Sequence, residues 1–205
     1  MAALGSWPSI KQHGLLSTSA LLDLYGIAGR ARKRIEAEHR PQIVRIVHST
    51  HGEAFIRDQK PMDDRGLVRA LEDAITPAEW YGILNAKVFF WVTKGRLERL
   101  LAANAYRSEW HDVLLLDTAS VLRAHASNVK LAGMNTGSTK PFPHKRGRNT
   151  FLPLALYPFA ARLNSHRNEA VVEFAVEGGV PDAANHALKV YKARSGKRWE
   201  LLWER

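Results

Sequence analysis

Two charged residues interrupt short apolar segments of the sequence. Arg57 ends the segment AFIRDQ, and Glu173 lies within AVVEFAV. An inward-facing Arg57 would be desolvated, so it would need an anion, either a carboxylate or a bound phosphate. Glu173 has two interpretations: it is a charge on the solvated face of an edge strand, or it is a catalytic acid in the wall of a cleft. These two residues are the first candidates for chemistry.

Positive charge is concentrated in one part of the chain. The net charge is +10, and the residues from Thr118 to Asn168 include no Asp or Glu. A stretch of this kind is either a solubilising face or a contact surface for an anion or a nucleic acid. The candidate nucleic-acid contacts lie in and beside the HKRGR cluster at 144–148, and they are Lys140, Lys145, Arg146 and Arg148.

Several enzyme classes are disfavoured because their motifs are missing. The sequence has no cysteine and none of the patterns GxGxxG, GxxxxGK[ST], HExxH or GxSxG. His48 and His51 are close in sequence but have no third ligand nearby, so no metal site is predicted. The apolar runs are too short to cross a bilayer, which predicts a soluble protein without a membrane partner. The lack of cysteine is compatible with the cytoplasm.

Hydrophobic spacing predicts helices early in the chain and strands late, an α+β fold with mostly antiparallel sheets in a single domain over residues 1–205. Predicted strands lie near 43–47, 54–57, 87–92, 112–117, 129–132, 170–176, 186–193 and 199–203. Predicted helices include 63–73, 95–104 and 118–125, and a capped start at Thr76, Pro77 and Glu79. The segment GMNTGSTKPFPHKRGRN is predicted to be a long loop, which in a compact domain is usually functional or disordered.

Five segments of the chain follow one another in a recognisable order. They are WPSIKQHGLLSTSALLD at 7–23, IRDQKPM at 56–62, VFFWVT at 88–93, NTGSTKPFP at 135–143 and VVEFAVEGGVPD at 171–182. This order resembles an uncharacterised bacterial family related to the DarT-like ADP-ribosyltransferases. The resemblance covers nearly the whole chain and implies an ADP-ribosyltransferase-like fold, a split, mostly antiparallel β core with peripheral helices.

The resemblance implies NAD as a substrate and gives the two candidates separate roles. Arg57 matches the arginine that grips the NAD phosphates, and Glu173 matches the glutamate that steadies the ribose oxocarbenium and positions or deprotonates the acceptor. The other implied cofactor contacts lie on the small helix and turn, or on the pocket floor, and they are Trp7, Ser9, His13, Gly14, Phe90 and Trp91. The transferases also carry His-x-Thr on a strand before the small helix, and MAALGS before Trp7 lacks it. Either the start is truncated or the pocket lacks that contact.

The function that the resemblance implies is transfer of ADP-ribose from NAD to a nucleic-acid acceptor, a DNA base, with a toxin-like role. The expected partners are NAD and DNA or RNA. Two alternatives remain open. One is a non-catalytic nucleic-acid-binding module that uses the basic loop, with Glu173 serving only structure. The other is an NAD-dependent RNA phosphotransferase of the KptA kind, which would need several further phosphate-gripping basic residues.

Overall fold

A computed structural model describes residues 1–140, 142–165 and 169–205. Pro141 of the predicted loop and His166 and Arg167 of the basic stretch lie outside the described residues. The α-helices are α1 Trp7–His13, α2 Thr18–Leu24, α3 Gly29–Ala37, α4 Asp64–Ala70, α5 Pro77–Asn85, α6 Lys94–Ala102, α7 Thr118–His125, α8 Phe159–Ser165 and α9 Ala183–His186.

Antiparallel strands form two larger sheets and two short pairs. The strands are β1 Ala2–Ala3, β2 Leu15–Leu16, β3 Val44–His48, β4 Gly52–Ile56, β5 Lys87–Trp91, β6 His111–Leu116, β7 Val129–Ala132, β8 Leu152–Pro153, β9 Glu173–Glu177, β10 Gly179–Val180, β11 Ala187–Ala193 and β12 Glu200–Glu204. One four-stranded sheet has the order β1-β6-β11-β12, and the other has the order β5-β9-β7-β8. β2 pairs with β10, and β3 pairs with β4 as a hairpin. The predicted α+β class with antiparallel sheets is confirmed.

A hydrophobic cluster joins the two larger sheets. It includes Val190 of β11 from the first sheet, Val129 of β7 and Phe174 of β9 from the second, and Trp7 of α1. A second cluster packs α4 and α5 beside the second sheet around the fully buried Trp80. A third packs α2 against the β3–β4 hairpin through Leu22. Burial of these apolar side chains stabilises the arrangement of the sheets and helices.

The connection between β7 and β8 is the long loop that the sequence predicts. The described residues of this loop, 133–140 and 142–147, contain no helix, and the strand-type contact found among them is an isolated bridge between Leu71 and Arg146. This loop crosses the end of β9 where Glu173 begins the strand, which brings it to the candidate site. Among the described residues, no helix has the length and apolar composition needed to cross a membrane.

Candidate functional site

A cavity of about 510 Å³ opens between the N-terminal segment, the β3–β4 hairpin and the second sheet. Its volume lies within the range typical of small-molecule and cofactor sites. Six of the eight residues that the resemblance assigns to catalysis and cofactor binding line it, and they are Ser9, His13, Gly14, Arg57, Trp91 and Glu173. Arg57 and Glu173, which are far apart in the sequence, therefore face one cavity.

The small helix α1 is fixed to the first sheet by a buried carboxylate. Asp112 of β6 accepts hydrogen bonds from the backbone N–H groups of Gly5, at 3.1 Å, and Trp7, at 2.9 Å. The first N–H groups of a helix have no partner within the helix, so this carboxylate satisfies donors that would otherwise be buried alone. Asp112 thereby sets the position of α1 against the cavity.

The turn that ends α1 is in close contact with the backbone that follows β10. Gly14 has a φ of +86° and closes the helix by donating its N–H to the carbonyl of Ile10. A Cβ atom at this position would lie 2.4 Å from the Cα and the carbonyl oxygen of Pro181. Only glycine combines this backbone conformation with this approach. The turn then leads into β2, which also lines the cavity.

Glu173 is a buried carboxyl group on a central strand. Glu173 is the first residue of β9, and it pairs with Trp91 of β5 on one side and with Ala132 of β7 on the other. The residue is only 5% exposed. The alternative interpretation, a solvated charge on an edge strand, is therefore wrong. Thr136 donates its backbone N–H to Oε1 at 3.2 Å and its hydroxyl to Oε2 at 2.6 Å. Both carboxyl oxygens are thus held in a fixed orientation.

Burial raises the pKa of Glu173 to about 7, because the charged form loses its hydration. The two hydrogen bonds from Thr136 and the positive charges of Arg146 and Arg96 act in the opposite direction, but burial has the larger effect. A carboxyl group with this pKa exchanges a proton readily near neutral pH, as a general acid or base must.

Arg57 follows β4 and places its guanidinium group against an aromatic ring. The guanidinium carbon lies 5.4 Å from the ring centre of Tyr106, and Nη1 donates to Nδ1 of His111 at 3.3 Å. Burial, together with the charge of Arg57, lowers the pKa of His111 to about 4, so this imidazole is neutral and can accept.

One arm of the Arg57 guanidinium lacks a hydrogen-bond partner among the described residues. Its Nη2 atom is buried, and the Oδ2 atom of Asp58 lies 3.9 Å away, which is an ion-pair distance but too long for a hydrogen bond. The sequence left open whether a carboxylate or a phosphate would serve as the anion. Asp58 therefore lies at an ion-pair distance from Arg57 without accepting a hydrogen bond from Nη2.

A second buried arginine lines the cavity and was not predicted. Arg40 is 7% exposed, and it donates to the carbonyl of Arg57 at 2.7 Å and to the side-chain oxygen of Asn85 at 3.1 Å. Burial lowers its pKa to about 10, so Arg40 is still charged at neutral pH. Arg40 and Arg57 thus place two guanidinium groups on this side of the cavity, beside the carboxylate of Asp58.

Two predicted cofactor contacts, Trp7 and Phe90, do not line the cavity. Trp7 packs in the core, with its ring centre 5.1 Å from that of Trp203. Phe90 points to the opposite face of β5 from Phe89 and Trp91, and its ring meets Phe174 edge-on. Successive side chains of a strand alternate between faces, so Phe90 and Trp91 point to opposite faces of β5. The structure therefore does not bring Trp7 or Phe90 to the cavity that contains Arg57 and Glu173.

Arg146 was predicted to contact nucleic acid, but it is buried with only 1% exposure. It donates from Nη1 to the carbonyl of Thr136 and from Nη2 to that of Ser138, both at 2.8 Å, and from Nε to that of His144 at 3.0 Å. Loops of irregular backbone leave carbonyl groups unpaired, and a buried guanidinium can satisfy several of them. Arg146 therefore folds the loop and positions Thr136 against Glu173.

The other three predicted nucleic-acid contacts, Lys140, Lys145 and Arg148, are exposed. Lys140 and Lys145 line a second, more open cavity of about 780 Å³ on the outer side of the loop. Asn135 lines both cavities, so the loop forms the partition between the outer, basic cavity and the one that contains Glu173.

Sequence reasoning missed the groups that support the two candidates. Thr136, Arg40, His111 and Tyr106 contact Glu173 or Arg57 from segments far away in the chain. The sequence carried a weak signal for one of them, since Thr136 lies in the NTGST segment that takes part in the resemblance.

Comparison with known proteins gives a family for this architecture and no described activity. No curated protein and no solved structure matches the chain. A family model described as a family of unknown function matches residues 1–187, and the chain therefore belongs to the DUF7002 family.

Proposed function

We propose that this protein has an ADP-ribosyltransferase-like fold, binds NAD in the 510 Å³ cavity and transfers ADP-ribose to an acceptor. The observation that carries the proposal is that Arg57 and Glu173 line the same cavity, together with the α1 residues Ser9 and His13. A cationic group and a carboxyl group in one cavity match two features of the reacting NAD: the constant negative charge of the pyrophosphate and the positive charge that develops on the ribose.

Glu173 supplies the chemistry at the ribose. The bond between the anomeric carbon and the nicotinamide nitrogen breaks, its electron pair leaves with neutral nicotinamide, and positive charge develops on the ribose. An ionised carboxylate in a cavity shielded from water stabilises that charge better than water does. The acceptor then bonds to the anomeric carbon and loses a proton, which Glu173 can take because its pKa is about 7.

Arg57 and Arg40 supply the cationic side of the cavity for the pyrophosphate. Arg57 has a buried Nη2 donor without a hydrogen-bond partner among the described residues, and a guanidinium group binds phosphate oxygens through two parallel hydrogen bonds. Arg40 holds the carbonyl of Arg57 and so fixes the backbone from which the guanidinium extends.

The proposed acceptor is a nucleic-acid base. This part of the proposal is supported by the exposed cations Lys140, Lys145 and Arg148, which are suited to phosphate contacts that position a nucleic acid. The same cations favour a second candidate function, a nucleic-acid-binding module without catalysis. The proximity of the outer basic cavity to the loop that holds Glu173 favours the enzyme.

The proposal is tested by nicotinamide release from NAD, with and without single- and double-stranded DNA. Glu173→Gln should reduce release by about 100-fold or more, since it removes the group that stabilises the transition-state charge. The matched control is Glu177→Gln, which changes a partly exposed carboxylate on the same strand and should leave release unchanged. Folding of both variants is checked by circular dichroism.

NAD affinity tests the arginine separately. A charge-assisted hydrogen bond contributes about 1.5–3 kcal/mol, so Arg57→Ala should weaken NAD binding at least about tenfold, while the exposed Arg123→Ala should not. Unchanged NAD affinity in Arg57→Ala contradicts the pyrophosphate assignment. Nucleic-acid binding that neither NAD nor Glu173→Gln alters, with no release of nicotinamide, supports the binding module. NAD consumption that requires an RNA 2′-phosphate supports the phosphotransferase.

A further inference from the structure

Three side chains that the proposed reaction does not use meet outside the cavity, between α7 and α9. His125 ends α7, Asp182 immediately precedes α9 and His186 ends it. The carboxylate of Asp182 lies between the two imidazoles, with Oδ1 at 2.6 Å from Nε2 of His125 and Oδ2 at 3.0 Å from Nε2 of His186. One nitrogen from each histidine and one carboxylate oxygen lie within 4.8 Å of one another.

These atom types are the ligands of a divalent transition metal. Zinc binds imidazole nitrogen at about 2.0–2.1 Å and carboxylate oxygen at about 2.0–2.2 Å, so ligand atoms around one ion are separated by no more than about 4 Å. The three groups therefore need only small side-chain rotations to converge on one ion. In the structure as described, each short imidazole–carboxylate contact requires a proton between nitrogen and oxygen. A cation would take the place of those protons.

The hydroxyl group of Ser120 orients the imidazole ring of His186 through the ring nitrogen that does not face Asp182. Oγ of Ser120, on α7, lies 2.8 Å from Nδ1 of His186. A hydroxyl both donates and accepts, so it can hold the ring when Nδ1 is bare and also when Nδ1 carries the proton, as it must when Nε2 binds a metal. Metal-binding histidines generally have such a partner on the second nitrogen, and it orients the ring.

The burial of the cluster leaves an approach for an ion. His186 is only 4% exposed and the side chain of His125 is 13% exposed, whereas the side chain of Asp182 is 38% exposed. The two imidazoles thus form a rigid inner side, and the carboxylate forms the side that faces solvent. With three protein ligands, a tetrahedral ion would keep one position for water.

We propose that His125, Asp182 and His186 form a binding site for a divalent transition metal ion, with zinc as the best match to the ligand set. The ion joins the end of α7 to the start and end of α9. Asp182 follows Pro181, whose backbone packs against Gly14 at the end of α1. The ion therefore braces the segment behind the N-terminal wall of the cavity. This inference does not depend on the proposed function.

The test is metal binding by the full chain, purified without a histidine tag and stripped with a chelator. Titration with Zn²⁺ in a calorimeter should give one ion per chain, and titration with Co²⁺ should produce the visible absorption of a low-coordinate nitrogen and oxygen site. His125→Ala and Asp182→Asn should each lower the affinity by about 100-fold or more, because each removes a ligand. Ser120→Ala keeps all three ligands and should lower it about 10- to 100-fold.

The control is the double variant His48→Ala, His51→Ala, which removes two imidazoles that stack on each other in the β3–β4 hairpin. It should bind as the unaltered chain does. Asp182→Asn is nearly isosteric and partly exposed, so the test survives if a histidine variant fails to fold. The proposal is overturned if the chain does not bind one ion, if His125→Ala and Asp182→Asn bind the ion as tightly as the unaltered chain, or if the control loses binding. In each case the cluster is a hydrogen-bonded contact between two helices.

Discussion

Replacement of Glu173 by Gln should stabilise the protein, and the gain should grow with pH. Burial raises the pKa of this carboxyl group from 4.5 to about 7. As the pH rises from about 4.5 to 7, the unfolded chain releases the proton while the folded chain retains it. The folded state then binds more protons than the unfolded state, so its stability falls as the pH rises through this window. Gln, which cannot ionise, avoids that loss.

The magnitude follows from the width of the window. Two and a half pH units, at about 1.4 kcal/mol each, give a difference of about 3 kcal/mol. Below about pH 4.5 the carboxyl group is protonated in both the folded and the unfolded chain and is similar in shape to the amide, so the two proteins should be about equally stable. At pH 8 the wild-type chain contains a buried carboxylate, and Glu173→Gln should be more stable by about 3 kcal/mol.

Urea unfolding followed by tryptophan fluorescence at pH 5, 6, 7 and 8 measures this difference. The control is Glu177→Gln on the same strand, whose side chain is 43% exposed and pairs with Lys87 and Lys130. It should lose no more than about 1 kcal/mol and show no gain between pH 5 and 8. A stability difference between Glu173→Gln and wild type that is constant over this range would refute the reasoning that burial, rather than the Thr136 hydrogen bonds, decides the pKa.

Two further substitutions test how the walls of the cavity are held. Arg146→Ala leaves three carbonyl groups of its loop without their donor and should cost at least about 3 kcal/mol in chemical denaturation, whereas the exposed Arg148→Ala should change stability by no more than about 0.5 kcal/mol. Gly14→Ala places a Cβ atom against the backbone of Pro181 and should prevent folding or lower the melting temperature strongly, whereas Gly26→Ala, at a φ of +63° with open space around it, should cost only about 1–2 kcal/mol. Equal effects within either pair contradict the packing described.

Helices and strands could be predicted from the sequence where capping residues and hydrophobic spacing indicate the same element. The capped start at Thr76 is confirmed, since its hydroxyl accepts from the N–H of Glu79 and the Glu79 carboxylate accepts from the N–H of Thr76. The predicted helix at 118–125 and the predicted strand at 129–132 are confirmed with the same bounds. The two-residue strands β1, β2, β8 and β10 were missed, because so short a segment carries no periodicity and is a strand only through its distant partner.

The sequence predicted the two charged residues of the candidate site but not the residues that hold them in place. Arg57 and Glu173 could be identified from the sequence because each is a charged residue in a segment whose apolar neighbours are expected to be buried. Arg146 is also a buried charge, but its neighbours in sequence are polar, so nothing in the sequence indicates that it is buried. It was therefore assigned to the surface. Phe90 and Trp91 are neighbours in sequence, so they point to opposite faces of β5, and of the two only Trp91 lines the cavity.

Three walls of the cavity are held by buried charges whose principal partners are backbone groups. Asp112 accepts from the N–H groups before α1, Arg40 donates to the carbonyl of Arg57, and Arg146 donates to the carbonyls of the loop that contains Thr136. An apolar contact could not replace these charges, because irregular backbone beside a cavity leaves polar groups that water reaches poorly. A single guanidinium or carboxylate group forms hydrogen bonds with several of these backbone groups without filling the cavity. Arg57 is different, because its buried Nη2 atom has no hydrogen-bond partner among the described residues.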